Sequence, residues 1–423
     1  MALPIFYPTM RRLLCILLLF APVTLVARDT TSLRQTEKIA RACRAINNLY
    51  VDSVVLSPQG VERIEELLVG LDPYTTYLSA EQVLQMREHL TKGAFVGVGV
   101  EVASLRDTLV VLKTLPESPA EWAGVLPNDR ILRIDTTSVL GLNPQEALPY
   151  LRGRKGTRVQ MEVVRCGVRE PLRFTLRRQR IPLTTIEAAH KDSLGVGYIK
   201  VSHFAKGTMW EFEQAYRKLG SPQSLILDLR GNRGGLLGEA VRMALFFLPK
   251  GALILSVEGR KIPLQRFLAE RDGENLRGKV VVLIDEHTAS ASEIVAGALQ
   301  DWDRAIIVGC TSVGKGLVQR HVALGDGSAL AISIARYRTP SGRVIQRPYN
   351  PKSEAVAATS HKTLRAGREV CGGAGIRPDE IVASDTLNLP LNETSNSEWQ
   401  QAHTLLLRWE ELGAPLLQNH TKQ

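Results

Sequence analysis

Four short apolar runs, at residues 194–204, 224–230, 280–286 and 305–309, recur along the second half of the chain, with helical stretches between several of them. This alternation constrains the fold more than any other feature. Strands separated by helices are joined by crossovers, and crossovers place neighbouring strands parallel, so the pattern predicts an α/β core with a partly parallel sheet. A β-rich stretch follows at 328–337. Upstream, residues 30–90 read as helical, because Ile39, Ala42, Ile46 and Leu49 recur at helical spacing, as do Val61, Ile64, Leu67 and Leu68 after Pro58. Between the two lies a third regime, from 93 to about 180, where short strand-like runs alternate with glycine and proline turns. A chain of 423 residues exceeds one ordinary core, so a multidomain α/β protein is expected. No internal repeat or low-complexity tract interrupts it.

The first 27 residues stand apart. Arg11 and Arg12 precede an apolar run at 13–20 that continues with small interruptions to Ala27. A basic start, a short apolar stretch and a small residue before Arg28 describe a secretory signal, with cleavage expected after Ala27. The run is short for a transmembrane span and is broken by Pro22. Export to the periplasm or cell envelope is therefore expected, with membrane anchoring if the segment is retained. Expected divisions are 1–27 signal, 28–92 helical region, 93–180 β-rich domain, 181–350 α/β core and 351–423 mixed tail, the tail carrying the polar linker Asn392-Glu393-Thr394-Ser395-Asn396.

Composition removes several classes of function. With 44% hydrophobic and 23% charged residues the chain is not disordered. Taking the two signal arginines from a net charge of +10 leaves +8. The basic residues are scattered, as in Arg177, Arg178 and Arg180, and only 5% of residues are aromatic, so a solvated basic surface is favoured over nucleic-acid binding. Cys43, Cys166, Cys310 and Cys371 follow the signal without any C-x-x-C pair, so zinc and redox motifs are unsupported and no metal or cofactor is implied. An oxidising compartment permits one or two disulfides that sequence cannot pair; free thiols fit equally.

The sharpest local signal is Thr288-Ala289-Ser290-Ala291-Ser292-Glu293-Ile294, between an apolar run and a small-residue helical stretch. A serine at such a strand–turn–helix junction is exposed where backbone N–H groups and the helix dipole favour developing negative charge. Taken alone, Ser290 or Ser292 could equally be a helix cap. A second segment, Gly314-Lys315-Gly316-Leu317-Val318-Gln319, carries a lysine between two glycines. A third, Asp228-Leu229-Arg230-Gly231-Asn232-Arg233-Gly234-Gly235, closes the run at 224–230. Residues 95–100, Phe95-Val96-Gly97-Val98-Gly99-Val100, open the β-rich domain with a glycine pattern able to present a nest of N–H groups to a terminal carboxylate.

Together these motifs resemble the carboxyl-terminal processing peptidase family, over about residues 70–380 and in family order. Residues 93–180 resemble its PDZ domain, through Gly97, Val98, Gly99 and Val100, the run Ala123-Gly124-Val125-Leu126-Pro127-Asn128-Asp129, and Leu151-Arg152-Gly153-Arg154-Lys155-Gly156-Thr157. The resemblance implies Ser290 as nucleophile, Lys315 as general base, Gln319 positioning the lysine, and the backbone N–H groups of Gly235 and Ala291 as the oxyanion hole. It implies Arg152 as a gating contact, with a solvated arginine as the plain alternative. Substrates would be proteins or peptides held by their C-termini. An adaptor or activator, peripheral membrane association and self-association stay open. The chain departs from the family at Arg233, where proline is usual, at His287 for glycine and at Leu317 for serine.

Rival readings meet physical objections. Gly309 to Lys315 fits G-x-x-x-x-G-K, but Gly316 stands where a phosphate-binding loop needs Ser or Thr. Ser312 and Lys315 form S-x-x-K, yet Gly314 and Gly316 oppose the helix that would align them. A histidine-based protease could draw on His203, His287 or His321, but no matching serine motif accompanies them. A PDZ-bearing scaffold on an inactive protease fold is the non-enzymatic alternative, opposed by the intact Ser290, Lys315 and Gln319.

Overall fold

The computed structural model describes residues 35–275, 277–349, 359–382 and 397–407. The signal segment and the 392–396 linker lie outside them. The chain divides into two compact units, one of residues 1–84, 223–234 and 241–423, the other of 85–222 and 235–240.

The first unit contains the parallel sheet. Strands Ser224–Asp228, Lys279–Ile284, Ile306–Gly309 and Glu380–Ile381 lie side by side in that order, all parallel. Val280, Val281, Val282, Leu283 and Ile284 are all 0% exposed. A strand apolar on both faces must be covered on both, which is why this run lacks the alternation of a half-exposed strand. The crossover between the second and third strands is the helix Ala291–Asp301, every residue of which is buried. Its C-terminal Asp301 would oppose the helix dipole, but the fully buried Arg343 meets it at 2.6 Å and also donates to Gln300 Oε1.

A second, antiparallel sheet joins Thr76–Leu78, Ala329–Arg338, Leu253–Gly259 and Ile262–Leu268, with Leu317–Ala323 also pairing along Ala329–Arg338. The helix Gln35–Leu49 packs on that long strand through a face including Ile39, Ala42 and Ile46. Lys38 ties the helix to the sheet through Asp326, in the turn before the long strand, at 2.6 Å and through the Tyr77 hydroxyl on the neighbouring strand at 2.8 Å. The helical reading of 30–90 therefore holds for Gln35–Leu49, Ile64–Leu68 and Ala80–Arg87, but Thr76–Leu78 is a strand. Its partners lie some 250 residues away in sequence, beyond the reach of any local pattern.

The second unit contains a five-stranded antiparallel path ordered Val100–Leu105, Thr108–Thr114, Arg130–Ile134, Arg158–Val164, Leu172–Arg177. Val98, Leu109, Val111, Ile131, Ile134, Met161 and Leu176 fill its core. The helix Pro144–Leu151 starts with a reciprocal cap between Asn143 and Glu146, with proline at the first turn. Strand Val196–Val201 belongs to this unit as an antiparallel hairpin with Ile186–Lys191. Cys43, Cys166, Cys310 and Cys371 are free thiols, and only Cys43 is buried.

Candidate active site

Ser290 lies where strand Lys279–Ile284 has ended and helix Ala291–Asp301 begins. Its backbone is left-handed, φ 57° and ψ −114°. For a residue with a side chain this costs about 1–3 kcal/mol and persists only when the surroundings over-determine it. Here they do. Ala289 N–H and Ser292 Oγ both donate to Asn232 O, each at 3.0 Å, Thr288 Oγ1 donates to Leu229 O at 2.9 Å, and the Tyr337 hydroxyl donates to Ser290 O at 3.3 Å. Gly234 lies flush against the turn, since a Cβ there would fall 2.7 Å from Ala289 O and 2.8 Å from Ala291 N. The glycine loop at 231–234 is therefore the wall against which the serine turn is pressed. The Ala291 N–H, first in the helix, has no hydrogen-bond partner among the described residues.

Glu293 joins this turn to the lysine loop. Fully buried, it accepts from Ser290 N–H at 2.7 Å and Lys315 N–H at 2.9 Å on Oε2, and from Gly314 N–H at 2.7 Å and Ser312 Oγ at 2.5 Å on Oε1. Burial pushes its carboxyl above the ordinary range, while these four donors pull it back towards the ionised form. One oxygen thus holds the backbones of both candidate residues.

The Lys315 side chain is half-buried. Its Nζ donates to Gln319 Oε1 at 2.7 Å and lies 4.9 Å from the centre of the Tyr74 ring. Burial lowers its pKa; the more distant charges of Asp72 and Glu293 oppose that shift. No salt bridge reaches it among the described residues, and no hydrogen bond joins it to Ser290 Oγ. Gln319 in turn donates through Nε2 to Tyr74 O at 2.5 Å. Ser290, Ala291, Lys315 and Gln319 therefore come together in one unit. Gly235 belongs to the other, where it forms a parallel bridge with Phe204 and where a Cβ would fall 2.0 Å from Phe204 O.

The rival motifs find no support in this geometry. Residues 310–316 are irregular and lead into strand Leu317–Ala323, so neither a phosphate-binding helix nor a helical S-x-x-K arrangement forms. The Ser312 hydroxyl is occupied by Glu293 and by Ile376 N–H, and His287 is exposed beside Glu286.

In the second unit, Gly97 to Val100 lead into Val100–Leu105, the edge strand of its sheet, beside the helix Pro144–Leu151. The Val98 side chain is in the core and its carbonyl accepts from Ala120 N–H at 3.0 Å. Gly99, φ +82°, has no room for a Cβ, which would lie 2.2 Å from that of Ser118. Arg152 is not a solvated surface residue. Its Nη1 meets Glu88 Oε2 at 3.4 Å, its guanidinium lies 5.2 Å from the Phe95 ring centre, and the two side chains of the pair are 18% and 17% exposed. Its Nε is buried without a partner.

Sequence reasoning missed Glu293 and Tyr74 as parts of the site. Ser290-x-x-Glu293 has capping-box spacing, a signal that could have flagged the glutamate. Tyr74 lies in the stretch Leu71-Asp72-Pro73-Tyr74-Thr75-Thr76-Tyr77-Leu78, which also resembles the family, but nothing local gives it a role.

The comparisons with known proteins set the class first. Residues 195–380 match peptidase family S41, and 110–165 match the PDZ domain. Carboxy-terminal processing protease CtpB of Bacillus subtilis is 34% identical over 324 residues, 75% of this chain and 67% of that protein. The carboxyl-terminal-processing protease of Synechocystis is 36% identical over 352 residues, 81% of this chain and 76% of that protein. A Bacteroides fragilis structure assigned to the S41 proteases shares the fold over 87% of this chain and 97% of its own, with a TM-score of 0.53 and 15% identity. The chain belongs to the carboxy-terminal processing proteases of peptidase family S41, serine peptidases, and carries their PDZ domain.

Proposed function

We propose that this chain is an exported endopeptidase that recognises substrate C-termini through residues 93–180 and cleaves through an acyl-enzyme on Ser290, with Lys315 as general base. The observation that carries the reading is the environment of the amine. It is largely withdrawn from water and free of salt bridges among the described residues, and this desolvation favours the uncharged form a base requires, against the pull of the Gln319 oxygen that accepts from it. Neutral Lys315 takes the Ser290 proton as Oγ attacks the scissile carbonyl carbon. The oxyanion is met by the N–H of Ala291 and, on the family pattern, of Gly235. Collapse expels the amine product, which takes the proton back from Lys315. A water, deprotonated by the same amine, then attacks the ester carbonyl; Ser290 Oγ departs and takes that proton from Lys315, which frees the acid product and restores both residues.

Proton transfer requires Lys315 Nζ to turn from Gln319 towards Ser290 Oγ. Because Glu293 fixes both backbones, only the side chain has to move. A free carboxylate would dock at Gly97 to Val100 while the peptide adds as a strand beside Val100–Leu105. Arg152, held by Glu88, would be the contact released when the PDZ domain moves. An adaptor, peripheral membrane contact and self-association remain compatible partners.

The test is an unstructured peptide offered with a free and with an amidated C-terminus. Ser290→Ala and Lys315→Ala should each lose at least about a thousandfold in kcat/KM while peptide binding survives. The wild-type rate should rise with pH as the amine loses its proton, and amidation should weaken binding. Cleavage surviving in Lys315→Ala would sink the mechanism, and wild-type binding without cleavage would favour the scaffold reading. N-terminal sequencing of the exported product should begin at Arg28.

A further inference from the structure

We propose that Tyr74 is a positioning residue for the base, setting where Lys315 Nζ lies and how readily it loses its proton; this rests on the Ser/Lys reading above. Three parts of one residue reach the lysine loop. The ring faces Nζ at 4.9 Å. The carbonyl receives Gln319 Nε2 at 2.5 Å. A carbonyl can only accept, so this bond decides which way the Gln319 amide points: its nitrogen faces Tyr74, and its oxygen is left for Lys315 at 2.7 Å. A flipped amide would aim N–H groups at the amine. The Tyr74 hydroxyl faces the Gln346 side chain, whose Oε1 accepts from the N–H of Gly316, the residue after the lysine, at 2.9 Å.

Tyr74 is itself fixed. Buried Asp72 accepts from Tyr74 N–H at 2.9 Å, Thr75 Oγ1 at 2.6 Å and Ser333 Oγ at 2.9 Å, pinning the turn to the long strand of the antiparallel sheet. The amine is thus placed by a segment that precedes it by more than two hundred residues and contains none of the catalytic motifs.

The electrostatic consequence has a sign. An aromatic face attracts an ammonium and not a neutral amine, worth about 0.5–1 kcal/mol or more, so the ring opposes the effect of burial on Lys315. Asp72 and Glu293 act in the same direction as the ring. His321 also faces the amine, its own protonation pushed down by desolvation and then by Lys315. Tyr337, beside Ser290 O, is held neutral by burial. Removing the ring therefore leaves more neutral amine at a given pH, less well placed.

The experiment compares kcat and KM against pH for the full chain as wild type, Tyr74→Phe, Tyr74→Leu and Lys315→Ala, using the unstructured peptide. Tyr74→Leu should move the acid limb of kcat down by about half a unit. Its plateau should drop tenfold or more, with KM within twofold. Tyr74→Phe, which keeps ring and carbonyl, should keep the limb and lose part of the plateau. An unmoved or upward-shifted limb in Tyr74→Leu, an effect confined to KM, or equal impairment of the two variants would overturn the inference. Should Tyr74→Leu fail to fold, fluorinated phenylalanine at 74 keeps the shape while weakening the ring face. The limb must then fall relative to Tyr74→Phe; coincident limbs overturn the proposal. If Lys315→Ala keeps wild-type activity the Ser/Lys reading itself fails, whereas an inactive Lys315→Ala beside a wild-type profile for Tyr74→Leu refutes this inference alone.

Discussion

The serine turn and the lysine loop are both walled by backbone but carry their positive φ on different kinds of residue. At the turn the positive φ falls on Ser290 itself, held by Asn232 O, which takes one backbone and one side-chain donor, and pressed on Gly234, which has no room for a Cβ. At the loop it falls on Gly314, φ +83°, which adopts it freely; Gly314 O accepts from Arg347 N–H at 2.9 Å and Gly316 O from Tyr337 N–H at 3.0 Å, and the side chains of Glu293, Gln319 and Gln346 and the ring of Tyr74 converge on it. A strained backbone held on every side cannot be adjusted without being lost, whereas the end of a lysine side chain can swing. Ser290 is therefore the fixed partner and the Lys315 amine the adjustable one, in keeping with an amine that donates to Gln319 and not to Ser290.

The largest expected effect lies at the residue common to both loops. Glu293→Ala removes the acceptor of three backbone N–H groups and one hydroxyl, each about 1–3 kcal/mol if left unpaired in the interior. It should cost several kcal/mol by denaturant unfolding and abolish cleavage; stability close to wild type would show that the two loops are held separately. Gly234→Ala comes next. It puts a side chain at φ +95° and into backbone atoms of the serine turn, so it should lose about 1–3 kcal/mol and at least tenfold in kcat with little change in KM. If it matched the wild type, the wall would be dispensable and the contrast drawn above would collapse.

Lys315→Met sharpens the comparison from the other side. The lysine binds protons less readily folded than unfolded, so between its lowered folded pKa and the unfolded value near ~10.4 the unfolded chain carries more protons, and wild-type stability rises with pH across that window. Methionine should remove this slope and leave neutral-pH stability equal or higher while cleavage stops. Loss of stability at neutral pH would mean that the amine contributes structure and not only chemistry. The smallest effect belongs to a pair outside the site. Asp326, opposed by desolvation but held by Lys38 and Ser328, is depressed to about 2. Its contribution is present above the unfolded carboxylate value near ~3.9 and disappears as pH falls through about 2. Asp326→Asn should cost about 1 kcal/mol or less at neutral pH and leave kcat unchanged.

What could be seen in the sequence follows the range of the interaction. Three of the four parallel strands announced themselves within a residue or two because burial on both faces leaves an unbroken apolar run, as in Val280-Val281-Val282-Leu283-Ile284, whereas the short, exposed Glu380–Ile381 left no such mark. Ser290 and Lys315 stood out because each needs glycine or small neighbours in its own segment. The strand Thr76–Leu78 and the role of Tyr74 did not, since their partners are Leu330, Ala331 and Gln319, and a three-residue strand carries no period of its own. Arg152 was misjudged in its alternative as a surface residue for the same reason: Glu88 and Phe95, which bury it, lie on earlier elements.

The hydrogen bond from Gln319 to Tyr74 spans 245 positions of the chain. Until both ends have been brought into register the Tyr74 carbonyl cannot orient the amide, so the setting of the lysine belongs to the folded unit as a whole and not to its own loop.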